Sequence, residues 1–470
     1  MTTQQAAAPQ DLGAVLAEYT AGITYESLPG EVVSTLKGLV LNTLAAILAA
    51  NTMGEGTPAL LGWARRSGGA PESTLLGVGE KVPAVTAAFV NGGMAHMVNY
   101  DDSCAHAPVH LGPVTLAPAL ATAEMVGGVS GREFLAGLAA GAELQARLGP
   151  ALSEAQAKLP AKLQPAQAHG YFAVAVAAGR IMKFTPEQML SALGFALMQT
   201  AGAGQPGHEG RPGKSVYLAF PNMGGMMAAM LAREGLRNDC AVFEGDQGYF
   251  RTFSGGEFSR PPLESGLGEE FYLLNVGFKR WPVTGAAHAF IEAAIDIATT
   301  NALEPASIAR VHITGPARIR PFIEPASARR TPSSPTAAAD SIIFSVAKAL
   351  VAREVSMEHL APTPEGLFDP ETLRIAALME CTVDGTPGRT SVVEISTTAG
   401  ARYTAEVGVP MGHRDRPLSG DQLREKFLDC ARYASQPISQ GALEEVIDKI
   451  DRLEHLPDVR VLADLLSARA

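Results

Sequence analysis

Cysteine is scarce in this chain. Its four residues, Cys104, Cys240, Cys381 and Cys430, form no CxxC pair. That excludes a disulfide scaffold or a zinc-ribbon spacing and fits a reduced, cytoplasmic protein. Cys104 reads as a small packing residue rather than a nucleophile. Aromatics are scarce too, at 6% with two tryptophans. Small residues take their place: there are 48 glycines and alanine-rich runs throughout, which suits closely packed helices. Charged residues make up 18%, with a net charge of −11. An acidic balance argues against nucleic acid or an anionic membrane as partner. The longest apolar run, Leu39 to Ala50, contains Asn42 and Thr43 and is too short to span a bilayer. The first ten residues show no basic stretch leading into an apolar one, so no secretory leader is expected there.

What is present suits a large core. The 470 residues are 47% hydrophobic, and that length suggests two domains. Apolar spacing of three and four predicts helices over 12–20, 30–50, 57–67, 81–97, 113–126, 130–148, 168–182, 186–201 and 221–235. Thr185-Pro186-Glu187-Gln188 is a helix start with proline in the first turn. Near 268 the pattern changes. Strands are expected at 269–278, 309–314, 380–383, 391–397 and 403–409, with helices at 285–300 and 339–353. From Ser419, which opens like a capping box with Gln422, the chain is helical again. The fold class is therefore mostly α. A large helical domain, 1–267, is completed by C-terminal helices, 411–470, with a smaller α+β lid, 268–410, inserted between. Residues 326–339, rich in Ser, Pro and Ala, read as a mobile loop.

The chemistry concentrates in one stretch. His96, His106 and His110 share fifteen residues with Asp101 and Asp102, in a chain with ten histidines. A polar, proline-containing loop between two apolar helices is a common way to hold titratable groups inside a protein. Three further segments place polar groups where apolar ones would be cheaper. Lys162 to Gly170 sets Gln164, Gln167 and His169 at a helix start. Gln205 to Tyr217 is glycine-rich and basic; Arg211 and Lys214 could clamp a carboxylate, and the spacing is not that of a Walker loop. Phe278 to His288 places Lys279, Arg280 and Trp281 at the junction with the lid.

Taken together, these segments resemble the MmgE/PrpD family. Its hallmark reads roughly H-x-x-D-[FY]-D-D-x…H-P-S-x, followed by an apolar helix ending in Ala-Glu. This chain has His96-Met-Val-Asn99-Tyr100-Asp101-Asp102…His110-Leu-Gly, then Ala123-Glu124. The likeness continues at Thr185 to Gly194, Lys214, Phe243 to Gly248, Phe278-Lys279-x-x-Pro282, Glu354 to Glu358, and Pro410 to Phe427. The resemblance implies a helical domain with an inserted α+β lid, an active site between them, no metal, no organic cofactor, and a homodimer. It implies His110 as the catalytic histidine and Lys214 and Lys279 as carboxylate ligands, with Asp101, Asp102 and His288 retained. It also marks departures. Asn99 stands for the first aspartate, Gln164 for a histidine, Tyr217 for a histidine, Thr284 for a histidine of some members, and Phe344 for a tyrosine.

The expected activity is that of a cofactor-free lyase acting on a small organic acid. A base removes a proton beside a carboxylate, and a lysine stabilises the charge that develops. His110, Lys214, Tyr217 and Asp102 are the expected catalytic residues. Asn99, Asp101, Gln164, His169, Lys279, His288 and Phe344 are expected to line the substrate. Two alternatives remain open at this point: an epimerase using the same proton abstraction, and a catalytically silent ligand-binding homologue.

Overall fold

The computed structural model describes residues 10–158, 163–386 and 390–467. Helices dominate. Leu12–Gly22, Gly30–Met53, Thr57–Ser67, Ala84–Met97, Leu116–Val126, Gly131–Lys158, Pro165–Ile181, Pro186–Gln199 and Ala219–Arg233 form the helical body. The start signals work as read. Thr185 Oγ1 accepts from Gln188 N at 3.3 Å while Gln188 Oε1 accepts from Thr185 N at 3.1 Å, and Ser419 and Gln422 make the same reciprocal pair.

Small residues let these helices approach closely. A methyl group on Gly141 would stand 2.7 Å from the carbonyl oxygen of Ala173, and one on Gly137 would stand 2.6 Å from Ile181. Pro165–Ile181 is consequently buried almost from end to end. Gly30–Met53 extends well beyond the apolar run seen in the sequence. At 24 residues and a mean hydropathy of 1.8 it is long and apolar enough to cross a membrane, yet 78% of that apolar window is buried inside the protein. It is a buried helix of the body.

Two hydrophobic cores result. One joins residues from Leu12 to Val276 with Met357 and the C-terminal positions Leu418 to Leu466. Helix Gly420–Ala431 reaches that core by packing on Gly30–Met53. The other core runs from Trp281 to Ile395. It is built on a four-stranded sheet in the order Met379–Asp384, Ile308–Pro316, Ser391–Thr397, Arg402–Val407. The first pair is parallel and the other two are antiparallel. A parallel pair requires a crossover; here it carries Ile342–Ala352, which packs with His288–Thr300.

Two expectations are corrected. Of 269–278, only Val276–Phe278 is strand, and a 3-10 turn, Tyr272–Asn275, precedes it. That strand pairs with Asp102–Cys104 of the helical body, not with the lid sheet. The segment 326–339 contains two short helices, Ala326–Arg330 and Pro335–Ala339, rather than an unstructured loop. Ser334 Oγ caps the second by accepting from Ala337 N at 3.2 Å, and Glu55 Oε2 accepts from Thr336 Oγ1 at 2.7 Å. Local polar satisfaction overrides the low-complexity composition.

Candidate active site

The pairing of Asp102–Cys104 with Val276–Phe278 creates the site. Its register sets Asp102 opposite Phe278, so Asp101 and Lys279 emerge side by side at one end. Lys279 Nζ donates to Asp101 Oδ1 at 2.6 Å. The other oxygen, Oδ2, lies 2.8 Å from His96 Nδ1 and 2.9 Å from His110 Nδ1. One fully buried carboxylate thus holds two imidazoles and an ammonium. Burial works against its charge, and His96, Lys279 and His110 around it overcome this, leaving the Asp101 carboxyl well below the usual range.

The two histidines differ. His96 lies in the last turn of Ala84–Met97, with its side chain 2% exposed, and burial pushes it down to about 3. Burial thus opposes a charge on this ring. Its Nε2 is buried with no hydrogen-bond partner among the described residues, and its ring meets the Tyr217 ring edge-on at 5.0 Å. His110, at 18% exposed, is the open member of the cluster. Its Nδ1 also lies 2.7 Å from the Asp102 carbonyl oxygen. A carbonyl oxygen and a carboxylate oxygen can only accept, so His110 Nδ1 carries the hydrogen. In the neutral ring the lone pair is then on Nε2.

A second polar group spans the two domains. Asp340, just after the Pro335–Ala339 helix, sends its carboxylate to the helical body. Both of its oxygens lie 3.1 Å from Lys214 Nζ. Asn99 Nδ2 donates to Oδ1 at 3.2 Å. Asn99 sits at φ +54°, a left-handed conformation that asparagine tolerates better than most residues.

The other expected residues are placed as follows. Asp102 is buried, and its oxygens accept from Leu111 N at 2.6 Å and Gly112 N at 2.9 Å. It shapes the turn that aims His110 rather than facing the cleft. Burial raises it to about 6. Tyr217 lies against His96, and burial raises its hydroxyl well above its usual value. Gln164 packs against Gly204, and its backbone N donates to the Gly202 carbonyl at 2.9 Å. His169 is a core histidine beside Tyr249, with ring centroids 5.8 Å apart. Phe344 is buried in the core of the lid. His288 lies behind Lys279, with its ring on Trp281 at 5.3 Å. The structure thus gathers His110, Asp101, Lys279, Lys214 and Asn99, and it sets His169 and Phe344 in the two cores.

Three further residues belong to this constellation. His96 opens the motif but reads as part of a buried helix. Asp340 has no local signal, because it falls inside the helix expected over 339–353. Lys426, on helix Gly420–Ala431, falls within the family-like stretch ending at Phe427, with no role assigned to it from sequence. It is 4% exposed, with Nζ 2.8 Å from each of Asn42 Oδ1, the Tyr100 carbonyl and the Lys279 carbonyl. His96, Asp101 and His110 could also offer a cation three ligand atoms within 4.8 Å of one another. Both imidazoles point Nδ1 at the same carboxylate oxygen, and Lys279 already supplies positive charge to the other. The two Nδ1 atoms and the carboxylate are thus already engaged with one another and with Lys279.

Family models match both parts of the chain. A model of the MmgE/PrpD N-terminal domain matches residues 14–261, and one of the MmgE/PrpD C-terminal domain matches 281–452. The chain belongs to the MmgE/PrpD family. Similar relatives include the cis-aconitate decarboxylase of Aspergillus terreus, 23% identical over 96% of this chain and 95% of its own length. The cis-aconitate decarboxylase-like protein oryM of Aspergillus oryzae is 26% identical over 99% of both chains. The cis-aconitate decarboxylase of Homo sapiens is 26% identical over 82% of this chain and 80% of its own.

Proposed function

We propose that this chain is a lyase that acts on a small carboxylic acid by proton transfer at the carbon beside the carboxylate. Membership of the family and relatives named as decarboxylases support the lyase class. The observation that carries the mechanism is the environment of His110. Two acceptors fix the hydrogen on Nδ1, so Nε2 is the nitrogen free to take or return a proton. Asp101 orients the ring and balances the imidazolium that forms. Lys279, paired with Asp101, and Lys214, paired with Asp340, supply the positive charge that stabilises the enolate-like intermediate. In one direction the C–H bond breaks, its proton goes to Nε2, and the electron pair expels a β-leaving group. Alternatively a C–C bond breaks to release CO2, and His110, entering the step as imidazolium, gives its Nε2 proton to the carbon left behind and ends as the neutral ring.

The test begins with a thermal-shift screen of small carboxylic acids, followed by mass spectrometry of each stabilising acid. A ligand at large excess over its Kd raises stability measurably. Loss of water or CO2 from a bound acid supports the proposal. Deuterium incorporation without net conversion, in D2O, would point to an epimerase instead. Binding with neither would point to a silent homologue.

We also propose that the chain works as a homodimer. Trp63, Phe220, Met227 and Leu231 are all more than a third exposed, and three of them lie on helix Ala219–Arg233. Trp63 and Phe220 flank Phe89 in a continuous aromatic contact. A contiguous exposed apolar face of this kind suits a subunit interface.

A further inference from the structure

The two lysines of the cleft are neutralised in different ways. Lys279 meets Asp101, its neighbour across the strand pair. The counter-ion of Lys214 comes from the other domain. Asp340 offers it both carboxylate oxygens at 3.1 Å, and the side chain is 7% exposed. The position is fixed by its surroundings. Asp340 N donates to the Thr336 carbonyl at 3.2 Å, and the Asp340 carbonyl accepts from Arg329 Nη1 at 3.2 Å. Thr336 is itself held by Glu55 of the helical body. Burial opposes the Asp340 charge, and Lys214 overcomes this, so the carboxyl stays below its usual range and ionised.

We propose that Asp340 is a specificity-determining residue: its carboxylate fills the place at Lys214 that an additional substrate carboxylate would take. This rests on the reading above, in which Lys214 and Lys279 are the substrate clamps. A polyanionic acid entering the cleft has two options. It can displace Asp340 and strand a buried carboxylate, or it can share one ammonium with it; both are costly. An acid with one carboxylate and an uncharged remainder avoids that cost. Asn99 fits the same logic. A carboxylate at position 99 would stand about as close to Asp340 as the amide does now, 3.2 Å, and would compete with it for Lys214. The amide donates instead, so position 99 supports the lid carboxylate.

Three probes test this: crotonate with one carboxylate, fumarate with two and cis-aconitate with three. Binding of each is measured by thermal shift and calorimetry to wild type and to Asp340→Asn. Wild type should bind crotonate at least as tightly as cis-aconitate. Asp340→Asn should bind fumarate and cis-aconitate about tenfold more tightly than wild type, with crotonate changed by less than about threefold. Tighter wild-type binding of cis-aconitate than of crotonate would overturn the proposal. So would a folded Asp340→Asn that gains nothing for either polyanion. If Asp340→Asn does not fold, Asp340→Ser and the wild-type ranking decide. These readouts are of binding alone, so a failure of the lyase reading, seen as no conversion in mass spectrometry, is recorded separately.

Discussion

Asn99 of the helical body donates to Asp340 of the lid across 3.2 Å, and Asp340 in turn holds Lys214. The amide at position 99, where the family resemblance leads one to expect aspartate, donates to a lid carboxylate. Asn99→Asp alone would set two carboxylates on one lysine. It should lower stability by about 1–3 kcal/mol, the cost of a disrupted buried polar contact. Adding Asp340→Asn should restore most of the loss. Thermal melts of the two single variants and the double variant form the cycle; additive losses would contradict the coupling.

Asp101 is the hub of the site. Asp101→Asn leaves Lys279 buried without its counter-ion and should cost about 3–5 kcal/mol at pH 7. The direction with pH follows from its lowered carboxyl. A carboxyl depressed on folding contributes stability above its unfolded value, near 3.9, and loses it as pH falls through the folded value. The gap between wild type and variant should therefore be full at pH 7 and close only in strong acid. Urea titrations at pH 7, 5 and 3 measure it. A gap that already vanishes at pH 5 would show that Asp101 is not held in this way.

Lys426 staples the two strands that carry Asp101 and Lys279, through the carbonyls of Tyr100 and Lys279. Burial pushes it down to about 7. A lysine depressed on folding binds fewer protons in the native state than in the unfolded chain between about 7 and its unfolded value near 10.4. Native stability therefore rises with pH across that window. Wild type should gain on Lys426→Met between pH 7 and 9 in denaturant titrations. Parallel curves for the two proteins would contradict the assignment.

The hydrogen on His110 Nδ1 is directly observable. With 15N-labelled histidine, the His110 ring should show a protonated Nδ1 and an unprotonated Nε2 in its neutral form. An Nε2–H tautomer would mean that the Asp102 carbonyl does not accept from His110.

Much of this protein was legible in its sequence, for identifiable reasons. Helices with strong periodicity or reciprocal caps, such as Thr185 with Gln188, fall where the spacing puts them. The lid strands follow from their alternation, as in Ser391–Thr397. The segments holding His110, Lys214 and Lys279 stood out as polar against apolar helices, and the family resemblance singled out these three within them. The partners that make them work were not visible. Asp340 meets Lys214 across 126 positions of sequence, and Lys426 reaches the Tyr100 carbonyl across 326. Neither distance leaves a local pattern. The short strand Asp102–Cys104 was missed because three residues carry no periodicity, yet its pairing is what brings Asp101 to Lys279. His169 misled for the opposite reason: polar at a helix start, it lies in the aromatic core against Tyr249.

The central claim is that His110 moves the proton. The most direct measurement is turnover by His110→Ala on whichever acid the wild type converts, with circular dichroism to verify folding. Loss of an acid–base group should cut turnover by about 10²–10⁴-fold and leave the fold intact. A folded His110→Ala with full activity would contradict the account.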